Sequence, residues 1–144
     1  MSEVLGELRA RAKQRRARIV LPETADSRIK TARAMLERDG LCEVVWVEDP
    51  RQDARLPRIA ELLHQGRKHK GMTEAGALEL AVQPVMFGAG LIAIGEADAG
   101  VAGAAHSTPE VIRAGLFCLG TAAATPLVSS MFLMVRGAEV LSFA

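Results

Sequence analysis

The chain has 144 residues, of which 49% are hydrophobic and 24% are charged. This is the length of one ordinary domain, and the hydrophobic content is sufficient for a buried core. The formal net charge is +1 and aromatic residues make up only 3% of the chain. Binding to a nucleic-acid backbone needs a concentrated basic surface, so the composition argues against a nucleic-acid partner. Its aliphatic and glycine-rich character favours an α/β fold.

The cysteines and the amino-terminal stretch indicate in which cellular compartment the protein is expected. Cys42 and Cys118 have no CxxC spacing and are expected to be reduced thiols. The first 18 residues lack the apolar segment of a secretory signal, and no apolar run reaches the roughly 18 residues that span a bilayer. We therefore expect a cytoplasmic protein without a membrane span.

The first third of the chain alternates between helix and strand patterns. Residues 3 to 16 are predicted to form a charged helix, and residues 18 to 23 a short strand that ends near a proline. A helix is predicted over 25 to 40 and a second strand over 42 to 50. This alternation predicts a parallel sheet, in which ligands bind beyond the carboxyl ends of the strands.

Two helices are predicted next. Residues 55 to 72 have apolar side chains at helical spacing, and we expect the helix to be broken or loosened at Gly66. Residues 72 to 82 form the second predicted helix, with Thr73 as its amino-terminal cap.

The following segment is rich in glycine and alanine, and its boundaries are ambiguous. Residues 91 to 94 fit a helix or a strand, residues 95 to 98 fit a turn, and residues 100 to 104 fit a short strand. Residues 127 to 135 are predicted to form a strand or one arm of a hairpin that leads to Gly137.

The stretch GAAHSTPEVIRAG, residues 103 to 115, carries a helix-start signal. Thr108 is predicted to cap the helix, Pro109 suits its first position, and Glu110 suits the positive end of the helix dipole. We therefore predict a helix from 109 to about 119, preceded by small residues that allow close approach to the backbone.

This helix start has the features of an anion pocket. Free N–H groups and the helix dipole attract an anion, Arg113 lies one turn further along, and His106, Ser107 and Thr108 add donors. The alternative is a well-capped helix that binds nothing. Arg113 and Arg136 are the only cations after residue 70, which favours a functional role for Arg113.

Three stretches in register resemble the phosphate acetyl/butyryltransferase family, best known as phosphotransacetylase. They are IVLPE at 19 to 23, RKHKGMT at 67 to 73, and GEADAGVAGAAHSTPEVIRAG at 95 to 115, and FLMV and the terminal SFA are also family-like. The resemblance implies a three-layer α/β/α fold with a mainly parallel sheet, like the first domain of the phosphotransacetylase and isocitrate dehydrogenase-like fold. It also implies acyl transfer between coenzyme A and inorganic phosphate.

The resemblance further implies roles for individual residues. Arg67 and Arg113 would contact the phosphoryl group, Thr108 matches a substrate-binding serine of the family, and Ser107 lies beside it. His106 either donates to the substrate or is satisfied by the backbone. Two arginines suit an acyl phosphate because it is a dianion whose oxygens accept charge-assisted hydrogen bonds. Acetyl phosphate or phosphate and coenzyme A would be the substrates, with no metal and no covalently bound cofactor.

The resemblance covers only the amino-terminal half of the family's chain. We interpret residues 1 to 144 as a single α/β domain, equivalent to the first part of a longer two-domain acyltransferase. The family's base, a further arginine and a serine lie near the carboxyl end of that longer chain, so no catalytic residue is assigned here. Gly66 and Ala114 replace the family's commoner leucine and proline, and the apolar ending VLSFA suggests that more sequence follows.

Three hypotheses about function stay open. The first is a phosphate acetyltransferase-like enzyme with a place in acetate metabolism, and the second is a non-catalytic module that binds an acyl phosphate or acetyl-CoA. The third is a structural subunit that dimerises through its apolar carboxyl end. An exposed apolar end favours self-association, so we expect a homodimer.

Overall fold

The computed structural model describes residues 3–137 and 139–144, so that Met1, Ser2 and Ala138 lie outside the described residues. Its helices are α1 (Glu3–Arg15), α2 (Ser27–Asp39), α3 (Leu56–Arg67), α4 (Glu74–Ala81), α5 (Pro84–Ala93) and α6 (Thr108–Cys118). Its strands are β1 (Arg18–Val20), β2 (Glu43–Val45), β3 (Ala99–Gly100), β4 (Phe132–Arg136) and β5 (Glu139–Phe143). Short 3-10 turns at Pro50–Gln52 and Lys68–Lys70 flank α3.

A parallel three-stranded sheet organises the first hundred residues. Its order is β2-β1-β3, with Val20 of β1 opposite Val45 on one side and Gly100 on the other. The prediction of an α/β fold with a parallel sheet is confirmed. Because β1 is the central strand, the segment that follows it is flanked by the ends of both neighbours, which is where ligands bind in such sheets.

The helix boundaries follow local capping signals. The Asp26 carboxylate accepts the N–H of Arg28 at the start of α2, and Gly40 ends that helix with a left-handed backbone at φ 61°. The Thr73 hydroxyl accepts the N–H of Gly76 at the start of α4, as predicted. These caps satisfy backbone groups that a helix end leaves unpaired.

The core lies between α3 and α5. Ile59 and Leu63 of α3 and Phe87 and Leu91 of α5 are the largest fully buried side chains. The ambiguous segment at 91 to 94 is therefore the end of a buried helix. Gly90 allows this packing, because a Cβ at its position would overlap the Cγ2 atom of Ile59.

Several predicted boundaries differ from the structure. The break expected at Gly66 lies one residue later, since α3 ends at Arg67 and the 3-10 turn Lys68–Lys70 follows. The strand predicted over 42 to 50 is limited to Glu43–Val45. The strand predicted at 100 to 104 is limited to the pair Ala99–Gly100, because the residues that follow turn away to bind a side chain from β1's carboxyl end.

The last part of the chain is an antiparallel hairpin. Strands β4 and β5 pair from Phe132 opposite Phe143 to Arg136 opposite Glu139, and Gly137 lies in the turn at φ 60°. Phe132 and Phe143 are 70% and 57% exposed, so the carboxyl end of the described chain is apolar and accessible.

Among the described residues, no single helix is both long enough and apolar enough to cross a bilayer. Helices α4 and α5 reach that length and hydropathy only when taken together, and they are bent by 102° at the break between them.

Candidate functional site

The turn that precedes α6 wraps around a buried carboxylate. Glu23 follows Pro22 just beyond β1, and its side chain is 1% exposed. One carboxylate oxygen accepts the N–H groups of Gly103 and Ala104 at 2.9 and 2.8 Å, and the other accepts those of Ala105 and His106 at 2.8 and 2.9 Å. Gly103 begins the turn at φ 104°, a conformation that favours glycine. Four consecutive N–H groups thus form an anion-binding turn that the chain itself fills.

A fifth donor to Glu23 is the ring of His106. Its Nδ1 atom lies 2.8 Å from the carboxylate oxygen Oε1. Burial raises the pKa of Glu23, but the hydrogen bonds from the His106 ring and from the turn's N–H groups together lower it by more. The net result is a pKa of about 2. Glu23 is therefore ionised near neutral pH and can only accept, so His106 carries a proton on Nδ1.

The start of α6 is capped by Ser107. The helix begins at Thr108, and the Ser107 backbone N–H and hydroxyl both donate to the Glu110 carboxylate at 2.7 and 2.6 Å. The prediction that Thr108 is the cap is therefore wrong by one position, since Glu110 lies three residues after Ser107, the spacing of a capping box. The N–H groups of 103 to 107 are occupied by carboxylates, so the expected free donors for an anion are not available at these positions.

A cleft opens beside this turn. Its volume is about 210 Å³. One wall is polar or charged and consists of Gln83, His106, Glu110 and Arg113. The other wall is apolar and consists of Val85, Met86 and Ala114. Sites for drug-sized ligands measure roughly 300–1,000 Å³, so this cleft has room for a small anion or one end of a larger ligand. The structure thus brings His106 and Arg113 together.

Arg67 reaches α6 at a different point. Its guanidinium carbon lies 3.4 Å from the centroid of the Phe117 ring, one helical turn after Arg113. Arg67 contacts α6 but does not line the cleft. Among the described residues, neither Arg67 nor Arg113 has a carboxylate within 4.0 Å, so neither charge is consumed in an ion pair.

The acidic and thiol groups near the cleft are poor bases and nucleophiles. Bonds from Ser107 lower the pKa of Glu110, with smaller contributions from the charges of His106 and Arg113. Burial raises the pKa of the Cys118 thiol to about 12, and its Sγ atom lies 3.7 Å from the Met86 carbonyl. In the described part of the chain, no three His, Cys, Asp or Glu side chains form a group that could hold a metal ion. Toward an anion, the cleft offers the guanidinium of Arg113 and the outer edge of the His106 ring.

Glu23 and Phe117 are the residues that the sequence analysis did not single out. Glu23 is 83 positions from His106, and no local pattern links the two. The available signal was the position of a lone carboxylate at the carboxyl end of a buried parallel strand, where ligands and functional side chains gather. The roles of His106, Ser107, Thr108, Arg67 and Arg113 toward a substrate stay predictions.

Comparison with known proteins places this chain in a family. Residues 42–144 match the model of the family described as phosphate acetyl/butaryl transferase. The chain belongs to this family. The match includes the α6 turn, the cleft and both arginines, whereas β1 and Glu23 precede it.

Individual relatives agree. A phosphate acetyltransferase from Acetivibrio thermocellus is 36% identical over 91% of this chain and 46% of its own length, and one from Treponema pallidum is 34% identical over 84% and 44%. The crystal structure of a phosphotransacetylase from Streptococcus pyogenes matches with a TM-score of 0.89 and 28% identity, over 100% of this chain and 51% of that one. The chain therefore spans about half the length of each of these three relatives.

Proposed function

We propose that the chain supplies a phosphoryl-binding site for acyl transfer between coenzyme A and inorganic phosphate. The observation that carries this proposal is the cleft at the start of α6, where Arg113 and His106 converge in a member of the phosphate acetyl/butaryl transferase family. Arg113 is exposed to the cleft and free of ion pairs among the described residues, as an anion-binding cation must be.

The reaction defines what such a site must do. The coenzyme A thiolate attacks the carbonyl carbon of acetyl phosphate and a C–S bond forms. The bond between that carbon and the oxygen that bridges to phosphorus breaks, and phosphate leaves with that oxygen and the electron pair. Negative charge grows on the departing phosphate oxygens. Arg113 would neutralise that charge through charge-assisted hydrogen bonds, and His106 would add an Nε2–H donor when both of its ring nitrogens carry a proton.

Arg67, Ser107 and Thr108 would complete the phosphoryl site. Arg67, at the end of α3, holds its guanidinium against Phe117, one turn along α6 from Arg113, so it would reach a ligand that extends beyond the cleft. Thr108 is exposed at the first position of α6, beside the capping residue Ser107. Coenzyme A itself is too large for a cleft of about 210 Å³, so most of it would bind elsewhere.

A second candidate function is a module that binds an acyl phosphate or acetyl-CoA without turnover. The lowered pKa values of Glu23 and Glu110 favour it, because a carboxylate that its neighbours stabilise in the ionised form is a weaker base toward the thiol proton of coenzyme A. Assembly as a homodimer, a cytoplasmic location and a place in acetate metabolism stay predictions under either candidate.

The test is formation of acetyl-CoA from acetyl phosphate and coenzyme A, followed through the thioester absorbance. The 144-residue chain is compared with Arg113→Ala and with Arg38→Ala, a control that removes one exposed arginine of α2. Turnover that Arg113→Ala reduces at least tenfold and Arg38→Ala leaves unchanged supports the enzyme. If calorimetry detects phosphate binding but no acetyl-CoA forms, the binding module is supported. If the unchanged chain neither binds phosphate nor forms acetyl-CoA, the proposed site is contradicted.

A further inference from the structure

The bonding of Glu23 has a consequence for the side of His106 that faces the cleft. The imidazole is 29% exposed and lines the cleft, while its Nδ1 edge faces the buried carboxylate. The two ring nitrogens lie on different edges of the imidazole. With Nδ1 held inward, the Nε2 edge is the one left to meet a ligand beside Arg113.

The same carboxylate fixes the backbone on which the ring is mounted. Two of its four backbone bonds go to Ala105 and His106, at 2.8 and 2.9 Å, so the Cα of His106 is held as well as its ring. Arg28 supports the other side of the turn through the Ala104 carbonyl. Both the position and the rotation of the imidazole therefore depend on Glu23.

We propose that Glu23 is a positioning residue for the phosphoryl site: it holds the 103–106 turn and the Nδ1 atom of His106, so that Nε2 points into the cleft beside Arg113. The orientation of the ring follows from the bonds described above, and its use toward a ligand rests on the proposed function. A carboxylate is suited to this task because its two oxygens accept all five bonds, which a neutral carboxamide cannot do.

Nitrogen-15 NMR of the His106 ring reports separately which ring nitrogen carries the proton and which one responds to a ligand. In the free 144-residue protein at alkaline pH, we expect the neutral His106 ring to carry its proton on Nδ1. Addition of inorganic phosphate is expected to shift the Nε2 resonance more than the Nδ1 resonance. A neutral ring protonated on Nε2, or an Nε2 signal that does not move although calorimetry detects phosphate binding, would overturn the proposal.

A double-mutant cycle distinguishes positioning from a merely structural role. Glu23→Gln is expected to weaken phosphate binding roughly tenfold in the otherwise unchanged chain, but at most about twofold in a His106→Ala background, because its effect passes through the ring. Asp98→Asn is the matched control, since Asp98 is a structural carboxylate that bonds Arg18 near the same sheet. It is expected to leave phosphate affinity unchanged. Equal losses from Glu23→Gln in both backgrounds would contradict the proposal.

The two measurements also separate this inference from the proposed function. An Nδ1 proton on His106 without any phosphate binding supports the positioning of the ring and contradicts the phosphoryl site. If Glu23→Gln does not fold, the tautomer and the phosphate response of the unchanged protein still decide the proposal.

Discussion

The guanidinium of Arg67 lies over the ring of Phe117, with 3.4 Å between its Cζ atom and the ring centroid. This contact joins the end of α3 to α6, two helices that are separated by 40 residues of chain. Because an aromatic face attracts a cation, Phe117 orients a positive charge that no carboxylate within the described residues neutralises. Arg67 is thus held against α6, at the helical turn that follows Arg113.

Phe117→Leu is expected to weaken phosphate binding about 2- to 5-fold, since it keeps an apolar side chain but removes the aromatic face, a loss of roughly 0.5–1 kcal/mol. Trp46→Leu is the matched control, because Trp46 forms the same kind of contact with Arg33, at 4.6 Å, away from the cleft. Calorimetric titration with phosphate gives the affinity of each of the two variants. Equal weakening in the two variants would show that general destabilisation, rather than placement of Arg67, causes the loss.

The free energy of unfolding should depend on pH through Glu23. Its pKa is about 2 in the folded protein against an ordinary value of 4.5. A carboxyl group whose pKa is lowered by folding stabilises the fold above its ordinary pKa, and that contribution is lost as the pH falls toward the folded value. The lowered pKa of Glu23 corresponds to a contribution of about 3 kcal/mol to the free energy of unfolding at neutral pH.

Glu23→Gln removes this titration. We therefore expect the difference in unfolding free energy between the unchanged protein and Glu23→Gln to shrink by about 3 kcal/mol between pH 6 and pH 2. Urea unfolding followed by circular dichroism at several pH values measures it. A difference that stays constant with pH would contradict an ionised Glu23 in the turn.

Two helical glycines should respond to alanine in opposite ways. Gly90→Ala places a methyl group against the buried Ile59 side chain, so we expect a loss of about 1–3 kcal/mol in unfolding free energy. Gly66→Ala meets no atom within 4 Å and should gain about 0.5–1 kcal/mol from helix propensity. Urea unfolding of both variants measures the effect. A gain from both would mean that α5 does not pack closely on α3.

Much of the fold was predictable because its signals are local. Helix α2 begins after Asp26 and ends before Gly40, and Thr73 caps α4. These boundaries are predictable because capping depends on residues within one helical turn. Helix α5 was ambiguous because Gly88 and Gly90 disfavour a helix, yet they are required where Pro22 and Ile59 pack against it. Tertiary packing overrides propensity there.

The site was only partly predictable. The helix start and its Arg113 are encoded in adjacent residues, so the sequence indicates them directly. The bond from His106 to Glu23 and the contact of Arg67 with Phe117 join residues 83 and 50 positions apart, which no spacing rule anticipates. For that reason the turn was predicted to bind an external anion, whereas Glu23 occupies it.

The most direct measurement is calorimetric titration of the 144-residue chain with inorganic phosphate and with acetyl phosphate, beside Arg113→Ala, Arg67→Ala and the control Arg38→Ala. We expect saturable binding of both anions, weakened roughly 10- to 100-fold by Arg113→Ala, less strongly by Arg67→Ala, and not by Arg38→Ala, because a bound dianion loses a charge-assisted partner. Absence of binding, or the same affinity in all four proteins, would contradict a phosphoryl site at the start of α6.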